Sequence, residues 1–322
     1  MWHYLLNKLP VRFYKIADRR KLIGGYYHLI ADDTPDYIKN LYQIKKGSEF
    51  QRDLSFLKKN YHLISYDNFL TQKFRNQSFI LTFDDGFKEL ITQILPILEQ
   101  HQIPAIFFIT TSLIDNKEWM YKNLLSILIE KVRLTDEATL KSIFKDFLDL
   151  KSDSEIRKTV SNFLINITND TNLPREIAKK MGIDESQLLQ TLKPYLAKDE
   201  IVALSKHPLI TVGAHSTQHF HYKFLDQKEI KEDIITSCKI IQSITNQPKV
   251  PFAFPHNSEN VSRDLLREIE LENPEIKGFF GEFNFEKQDM VIKRFSLDHP
   301  QNEVGIVIKR EGKNHWYRKL KF

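Results

Sequence analysis

The sequence predicts an α/β protein: a barrel-like sheet of parallel strands wrapped by helices and interrupted by one long helical insertion. Three observations predict it. Short apolar runs rich in β-formers recur, such as Ser78–Phe83 and Ala105–Thr110. Stretches with helical spacing of apolar residues lie between them. Residues from about 117 to 205 show 3.6 periodicity (Leu124, Leu125, Leu128, Ile129) and almost no strand signal. Continuous apolar strands alternating with helices are the pattern of a parallel sheet covered by helices.

The first strand is read in Ile23–Ala31, ending near His28. Phe50, Leu54 and Leu57 give helical spacing over Glu49–Asn60, and the strand Ser78–Phe83 runs straight into Asp84-Asp85-Gly86. A helix carrying Leu90, Ile91, Ile94, Leu95 and Leu98 precedes the strand at 105–110. After the insertion the idiom returns at Leu209–Ala214, Phe252–Phe254, Gly278–Phe280 and Val291–Phe295, with helical patterns at 226–244 and 261–271. The chain therefore divides into an N-terminal segment, 1–22, and a catalytic domain, 23–322, interrupted at about 117–205. In barrels of this kind catalytic groups sit where strands end at the C-terminal face.

Composition narrows the class. The chain has 322 residues, 28% of them charged, with a formal net charge of +5. No stretch concentrates Lys and Arg with aromatics as a nucleic-acid module does, so no nucleic-acid partner is expected. The single cysteine, Cys238, rules out an intramolecular disulfide and a Cys-rich zinc site and reads as buried filler. The start lacks a basic n-region, a long apolar run and a small-residue cleavage site, which leads us to expect a cytoplasmic protein. Residues 2–21 mix Trp2, Leu5, Leu6, Leu9, Phe13 and Ile16 with Arg12, Lys15, Arg19, Arg20 and Lys21. That pattern fits a terminal helix docked on its own protein, with a peripheral membrane contact as the alternative.

Two clusters carry chemistry, both directly after a buried strand. Adjacent carboxylates such as Asp84 and Asp85 repel, and one needs a cation or strong donor to stay charged; Gly86 permits a sharp turn behind them. Alone, Asp-Asp-Gly is a common turn signal. In His215-Ser216-Thr217-Gln218-His219, histidines four apart on a helical turn would share a face and suit one zinc-like ion. His221 competes as a ligand if the turn is not helical. Together the clusters make sense as one hydrolytic site. Two imidazoles and one carboxylate leave a position open for water, and the second carboxylate takes its proton.

The order Thr82-Phe83-Asp84-Asp85-Gly86, then Ala105-Ile106-Phe107-Phe108-Ile109, then His215-Ser216-Thr217-Gln218-His219 resembles the polysaccharide deacetylase (NodB-like, carbohydrate esterase 4) family, over roughly 23–115 and 207–298. The resemblance implies a distorted (β/α) barrel and one divalent metal ion, commonly zinc. It implies Asp85, His215 and His219 as metal ligands and Asp84 as catalytic base. Pro251-Phe252-Ala253-Phe254-Pro255-His256 resembles the family's third motif without its Arg, and with His256 in place of an aromatic. Arg294 is the candidate replacement for that Arg. A backbone N–H after Pro255 is a candidate for the oxyanion, a role that needs no particular side chain. The family's general acid is a His in a Leu-x-His motif, which points to His299 in Leu297-Asp298-His299, with His256 as its rival. His28 lies on the same face as a candidate substrate contact, and Trp119, Tyr121 and Tyr222 are candidates to stack on sugar rings.

The expected activity is removal of an acyl group, N-acetyl first, from a sugar in a polysaccharide or glycan precursor. A catalytically inactive carbohydrate-binding member of the same fold is the first rival. A deformylase, O-acetyl esterase or amidase with the same metal site is the second, because specificity lives in loops.

Overall fold

The computed structural model describes residues 22–73, 77–150, 155–258, 260–282, 290–300 and 303–310. The N-terminal segment read as a docked or membrane-contacting helix lies outside them.

The strands form where apolar runs predicted them. They are β1 (Leu22–Tyr27), β3 (Ser78–Phe83), β4 (Ala105–Ile109), β5 (Ile210–Ala214), β6 (Val250–Ala253), β7 (Ile276–Glu282) and β8 (Val291–Ser296), with a two-residue β2 (His62–Leu63) besides. Neighbours pair in parallel in the order β1-β8-β7-β6-β5-β4-β3, and β1 also pairs with β3, so seven strands close into a ring. β2 lies along the start of β3, opposite Ser78 and Phe79, before β4 takes over that edge at Thr82 and Phe83. Closure leaves no strand edge in the ring to recruit another chain. This is the distorted (β/α) barrel that the sequence led us to expect.

The helices follow their apolar stripes. α1 (Gly47–Asn60) buries Phe50, Leu54 and Leu57 as its spacing predicts. α2 (Tyr66–Leu70) is a short turn capped by Ser65. The helix expected around Leu90–Leu98 is not uniform. Leu90–Ile94 is a π-turn that leads into α3 (Leu95–His101). Pro96 has no N–H to donate to a carbonyl one turn back, and such a loss commonly marks a bulge or kink.

Between β4 and β5 run α4 (Tyr121–Leu134), α5 (Glu137–Phe144), α6 (Ile156–Asn166), α7 (Asn172–Lys180), α8 (Glu185–Leu192) and α9 (Lys198–Ser205). They build a core of their own around Leu124, Leu128, Phe144, Val160, Leu164 and Ile177. Leu29, Tyr37 and Ile38, from the segment after β1, belong to the same cluster. A buried polar chain fixes the junction. The Met120 N–H donates to the Tyr195 hydroxyl at 3.1 Å, that hydroxyl donates to Asn123 Oδ1 at 2.7 Å, and Asn123 Nδ2 donates to the Tyr37 carbonyl at 3.0 Å. These bonds anchor the insertion across the C-terminal mouth of the barrel.

The later helices are α10 (Gln227–Thr245) and α11 (Arg263–Glu272). α10 opens with a reciprocal cap between Asp226 and Glu229, and α11 with the Ser262 hydroxyl accepting from the Leu265 N–H. Such caps satisfy amides that have no partner within the helix. Cys238 is buried on α10, as expected of a filler residue.

Candidate functional site

The site forms where three strands end. After β3 the Asp84 N–H still donates to the Tyr27 carbonyl at 2.9 Å, and the chain then turns sharply. Asp85 has φ +77 and Gly86 φ +90. The left-handed region is costly for a non-glycine residue, and such strain concentrates at functional sites. At Gly86 a Cβ would also lie 3.0 Å from Ile109 Cγ2. The Thr110 N–H donates to the Asp85 carbonyl at 3.2 Å, locking the turn to the end of β4.

Residues 215–219 do not form the expected helical turn. They are a loop with Ser216 at φ +65 and His219 at φ +58, so the two imidazoles converge through loop geometry and not through helical spacing. Backbone N–H groups of Thr111 and Ser112 donate to the carbonyls of Ser216 and Thr217 at 3.1 and 3.0 Å. The Thr217 N–H donates to Asp233 Oδ1 at 2.8 Å, and the Tyr222 hydroxyl donates to Asp233 Oδ2 at 2.5 Å. His221 stands outside the cluster although the turn is not helical. Its ring stacks on that of His256 at 4.9 Å, and its Nδ1 accepts from the Lys223 N–H.

Asp85, His215 and His219 are brought together, all buried, each offering one ligand atom within 4.8 Å of the others. His215 Nε2 lies 3.5 Å and His219 Nε2 3.3 Å from Asp85 Oδ1. His215 Nδ1 is 2.9 Å from the Ala253 carbonyl, so Nδ1 carries the proton and Nε2 presents a lone pair. Burial pushes the His215 imidazole down to about 4, so it is neutral, the form that ligates metal. Burial opposes ionisation of Asp85, but His219 and then His28 outweigh it and hold the carboxyl below the ordinary range. Among the described residues, buried Asp85 Oδ1 has no hydrogen-bond partner. An orphaned carboxylate oxygen facing two imidazole nitrogens is a donor set that a divalent ion completes.

Asp84 stands beside this set, with His215 Nε2 3.9 Å away. The Arg294 guanidinium grips it with two bonds, at 2.7 Å to Oδ1 and 2.9 Å to Oδ2, and also donates to Thr82 Oγ1 at 2.8 Å. The guanidinium lies 4.8 Å from the Tyr26 ring centre and 5.2 Å from that of Phe108. β1 makes room for its stem, since a Cβ at Gly24 would sit 2.7 Å from Arg294 Cγ. Burial raises the Asp84 carboxyl, but Arg294 and then His215 outweigh it and keep it below the usual carboxylate range.

His28 follows β1 and lines the same cavity of ≈ 300 Å³ as Asp84, Asp85, His215, His219 and His256. Its Nδ1 pairs with Asp298 Oδ2 at 2.8 Å, and its N–H donates to Asp298 Oδ1 at 2.9 Å. Burial lowers this imidazole, but Asp298 outweighs it and raises it to about 10, so the ring is protonated. His256 is different. Burial first, then His219, His221 and His215, push it down to about 2, so it is neutral.

His299 is exposed and does not line the cavity. In the Leu297-Asp298-His299 stretch it is Asp298 that reaches the site, through His28. Pro255 is buried behind the cavity wall, which Phe254 and His256 form instead. Trp119, Tyr121 and Tyr222, read as possible sugar platforms, are buried in the packing at 2%, 2% and 0% exposure. Sequence reasoning missed Asp298, Tyr42 and Glu282, which also belong to this neighbourhood. Glu282 accepts from the Tyr26 hydroxyl at 2.5 Å, and burial raises its carboxyl. The signal for Asp298 was present, inside a motif read for its histidine.

The helical insertion closes one side of the cavity through Met120, Leu125 and Ile129. Its polar neighbours there are engaged in the scaffold. Asn123 bonds as described, and Lys122 Nζ donates to the Ile167 carbonyl at 2.8 Å.

Comparison with known proteins agrees with the fold. The family model described as polysaccharide deacetylase matches residues 71–273. Among solved structures, a polysaccharide deacetylase from Bacillus cereus is similar with a TM-score of 0.54 at 13% identity, covering 90% of this chain and 69% of that one. IcaB from Ammonifex degensii is similar with a TM-score of 0.52 at 12% identity, covering 91% and 97%. A de-N-acetylase from Aggregatibacter actinomycetemcomitans gives 0.52 at 14% identity, covering 89% and 98%. At these identities the likeness shows the fold. No curated protein matches.

Proposed function

Because the chain belongs to the polysaccharide deacetylase family, we propose that it is a metal-dependent hydrolase that removes an N-acetyl group from a sugar of a glycan or glycan precursor. The observation that carries this reading is the convergence of Asp85, His215 and His219 on one point beside the Arg294-held Asp84. Zinc is the ion of choice, given two neutral imidazoles and one carboxylate.

Held by Asp85, His215 and His219, a divalent ion would supply Lewis acidity toward the acyl carbonyl and the attacking water. The chain's own residues do the rest. Asp84 stays ionised at neutral pH because Arg294 neutralises it from behind, and it takes the proton from the water as it attacks. Arg294 acts through Asp84 and is a positioning residue. His28 replaces His299 and His256 as the acid. Its Nδ1 is occupied by Asp298, which leaves the Nε2 proton for the departing sugar nitrogen. Asp298 fixes the tautomer and keeps the ring charged, as an orienting carboxylate does beside other catalytic histidines. Met120, Leu125 and Ile129 of the insertion give the cavity an apolar wall, beside which electrostatic interactions are stronger than in bulk water.

The test is acetate release from N-acetylated glucosamine oligosaccharides by the wild-type protein and by Asp84→Asn. Acetate release that falls by roughly 100-fold or more in the variant, the range of a general base, supports the reading. A wild type that binds oligosaccharide without releasing acetate, and an Asp84→Asn variant that binds equally well, would replace it with the carbohydrate-binding reading.

A further inference from the structure

The two candidate histidine ligands differ in how their second nitrogen is treated. His215 Nδ1 is anchored on the Ala253 carbonyl at the end of β6, at 2.9 Å. His219 Nε2 faces Asp85, but its Nδ1 is buried and has no hydrogen-bond partner among the described residues. A metal-binding imidazole almost always donates its other N–H to an acceptor, which sets tautomer and ring orientation.

A second orphan lies next to it. His256, three residues beyond Ala253, carries a buried Nε2 that likewise has no partner among the described residues. The His219 and His256 rings are 4.8 Å apart between centres and inclined at 69°. His256 sits at φ +59, a left-handed conformation that only a few non-glycine residues adopt. The ring packs against His219 on one contact and stacks with the His221 ring at 4.9 Å on another. Buried polar atoms without partners are few in folded proteins, and two in adjacent rings of one site call for a shared explanation.

We propose that His256 is a positioning residue of the metal centre. Its Nε2 would accept the Nδ1–H of His219 with an ion held at His219 Nε2, between rings whose centres are 4.8 Å apart. The end of β6 then orients both histidine ligands: His215 through the Ala253 carbonyl and His219 through the His256 ring. The phenyl ring of a phenylalanine at position 256 fills the space but offers no acceptor nitrogen. This inference rests on the reading of Asp85, His215 and His219 as metal ligands.

The experiment measures the dissociation constant for Zn²⁺ by chelator competition in the full-length wild type, His256→Phe and His256→Gln. It adds the visible spectrum of each protein loaded with Co²⁺. Phenylalanine removes the acceptor and keeps a ring, while the glutamine Oε1 can still accept. The expected result is a Zn²⁺ affinity weakened by roughly 10- to 100-fold in His256→Phe, the range for loss of such an outer partner. His256→Gln recovers most of that affinity, and the Co²⁺ spectra keep the same shape, because no ligand has changed. Thermal unfolding of the metal-free proteins checks that both variants fold.

Unchanged Zn²⁺ affinity in His256→Phe overturns the proposal. So does equal loss in both variants with an altered Co²⁺ spectrum, which makes His256 itself a ligand. A wild type that binds no ion removes the metal reading and this inference with it. A protein that binds the ion but releases no acetate contradicts the proposed function and leaves the role of His256 standing.

Discussion

Replacing Arg294 by Met would remove both bonds to Asp84 while keeping an unbranched stem between Tyr26 and Phe108. Hydrogen bonds to charged groups contribute roughly 1.5–3 kcal/mol each, so two amount to about 3–6 kcal/mol before any relaxation. Removing one partner of a buried ion pair leaves an uncompensated charge and costs about 3–5 kcal/mol. Asp84 and Arg294 are exposed by only 2% and 1%, so little solvent screening reduces that figure. Urea unfolding of the metal-free protein near neutral pH should therefore show a loss of about 3–5 kcal/mol in Arg294→Met. The pH dependence has a definite sign. Asp84 has a lowered folded pKa in the wild type, so its contribution is fully present above the unfolded carboxylate value and is lost as pH falls through the folded one. Without Arg294, burial dominates and the carboxyl rises. The difference between wild type and variant is then largest near neutral pH and shrinks on acidification. The double variant Asp84→Asn/Arg294→Met strands neither charge and should recover part of the loss. An unchanged urea midpoint, or a deficit that does not vary with pH, would refute the assignment of Arg294 as the partner that keeps Asp84 charged.

Other consequences can be measured alongside. His28→Gln should lower the turnover number for acetate release by roughly 100- to 10,000-fold, the scale of a lost general acid, while His299→Ala leaves it nearly unchanged; the reverse pattern would return the acid role to His299. His28 is raised to about 10 by Asp298, so stability from this pair is present below the ordinary histidine value near 6.5 and lost as pH rises through about 10. Asp298→Asn should accordingly move the basic limb of the pH–rate profile down from near 10, and an unmoved limb would dissociate His28 from that step. In Gly213→Ala a Cβ would meet Phe108 Cδ1 at 2.5 Å and the Pro251 carbonyl oxygen at 2.8 Å inside the barrel. Overpacking of this kind destabilises by about 1–3 kcal/mol, measurable as a lower unfolding midpoint.

The barrel was legible where a strand is buried along its length and reads as a largely apolar run, as in Ser78–Phe83 and Ala105–Ile109. Helix limits were legible where a cap marks them: the pattern at 226–244 corresponds to α10 at Gln227–Thr245, opened by Asp226. Asp84, Asp85, His215 and His219 stood out because they follow strands directly. The conformation that joins the two histidines was not legible, since positive φ at Ser216 and His219 has no glycine to announce it. Arg294 reaches Asp84 across 210 positions of sequence, and Asp298 reaches His28 across 270. Pairings of that range depend on barrel closure between β1, β3 and β8, which local periodicity does not encode. His299 was read as the acid because it holds the histidine position of a Leu-x-His motif in Leu297-Asp298-His299. Yet Asp298 is buried and His299 is exposed. Sugar-stacking roles for Trp119, Tyr121 and Tyr222 failed for another reason: aromatics serve cores and ligands alike, and here packing claims all three.

The central claim is that one divalent ion, held by Asp85, His215 and His219, makes this chain a deacetylase. The most direct measurement removes bound metal from the wild-type protein, titrates Zn²⁺ back, and follows acetate release from N-acetylated oligosaccharide at each step. The account predicts negligible release from the stripped protein and recovery that saturates at about one ion per chain. Full acetate release by the metal-free protein, or none at any Zn²⁺ level, would contradict it.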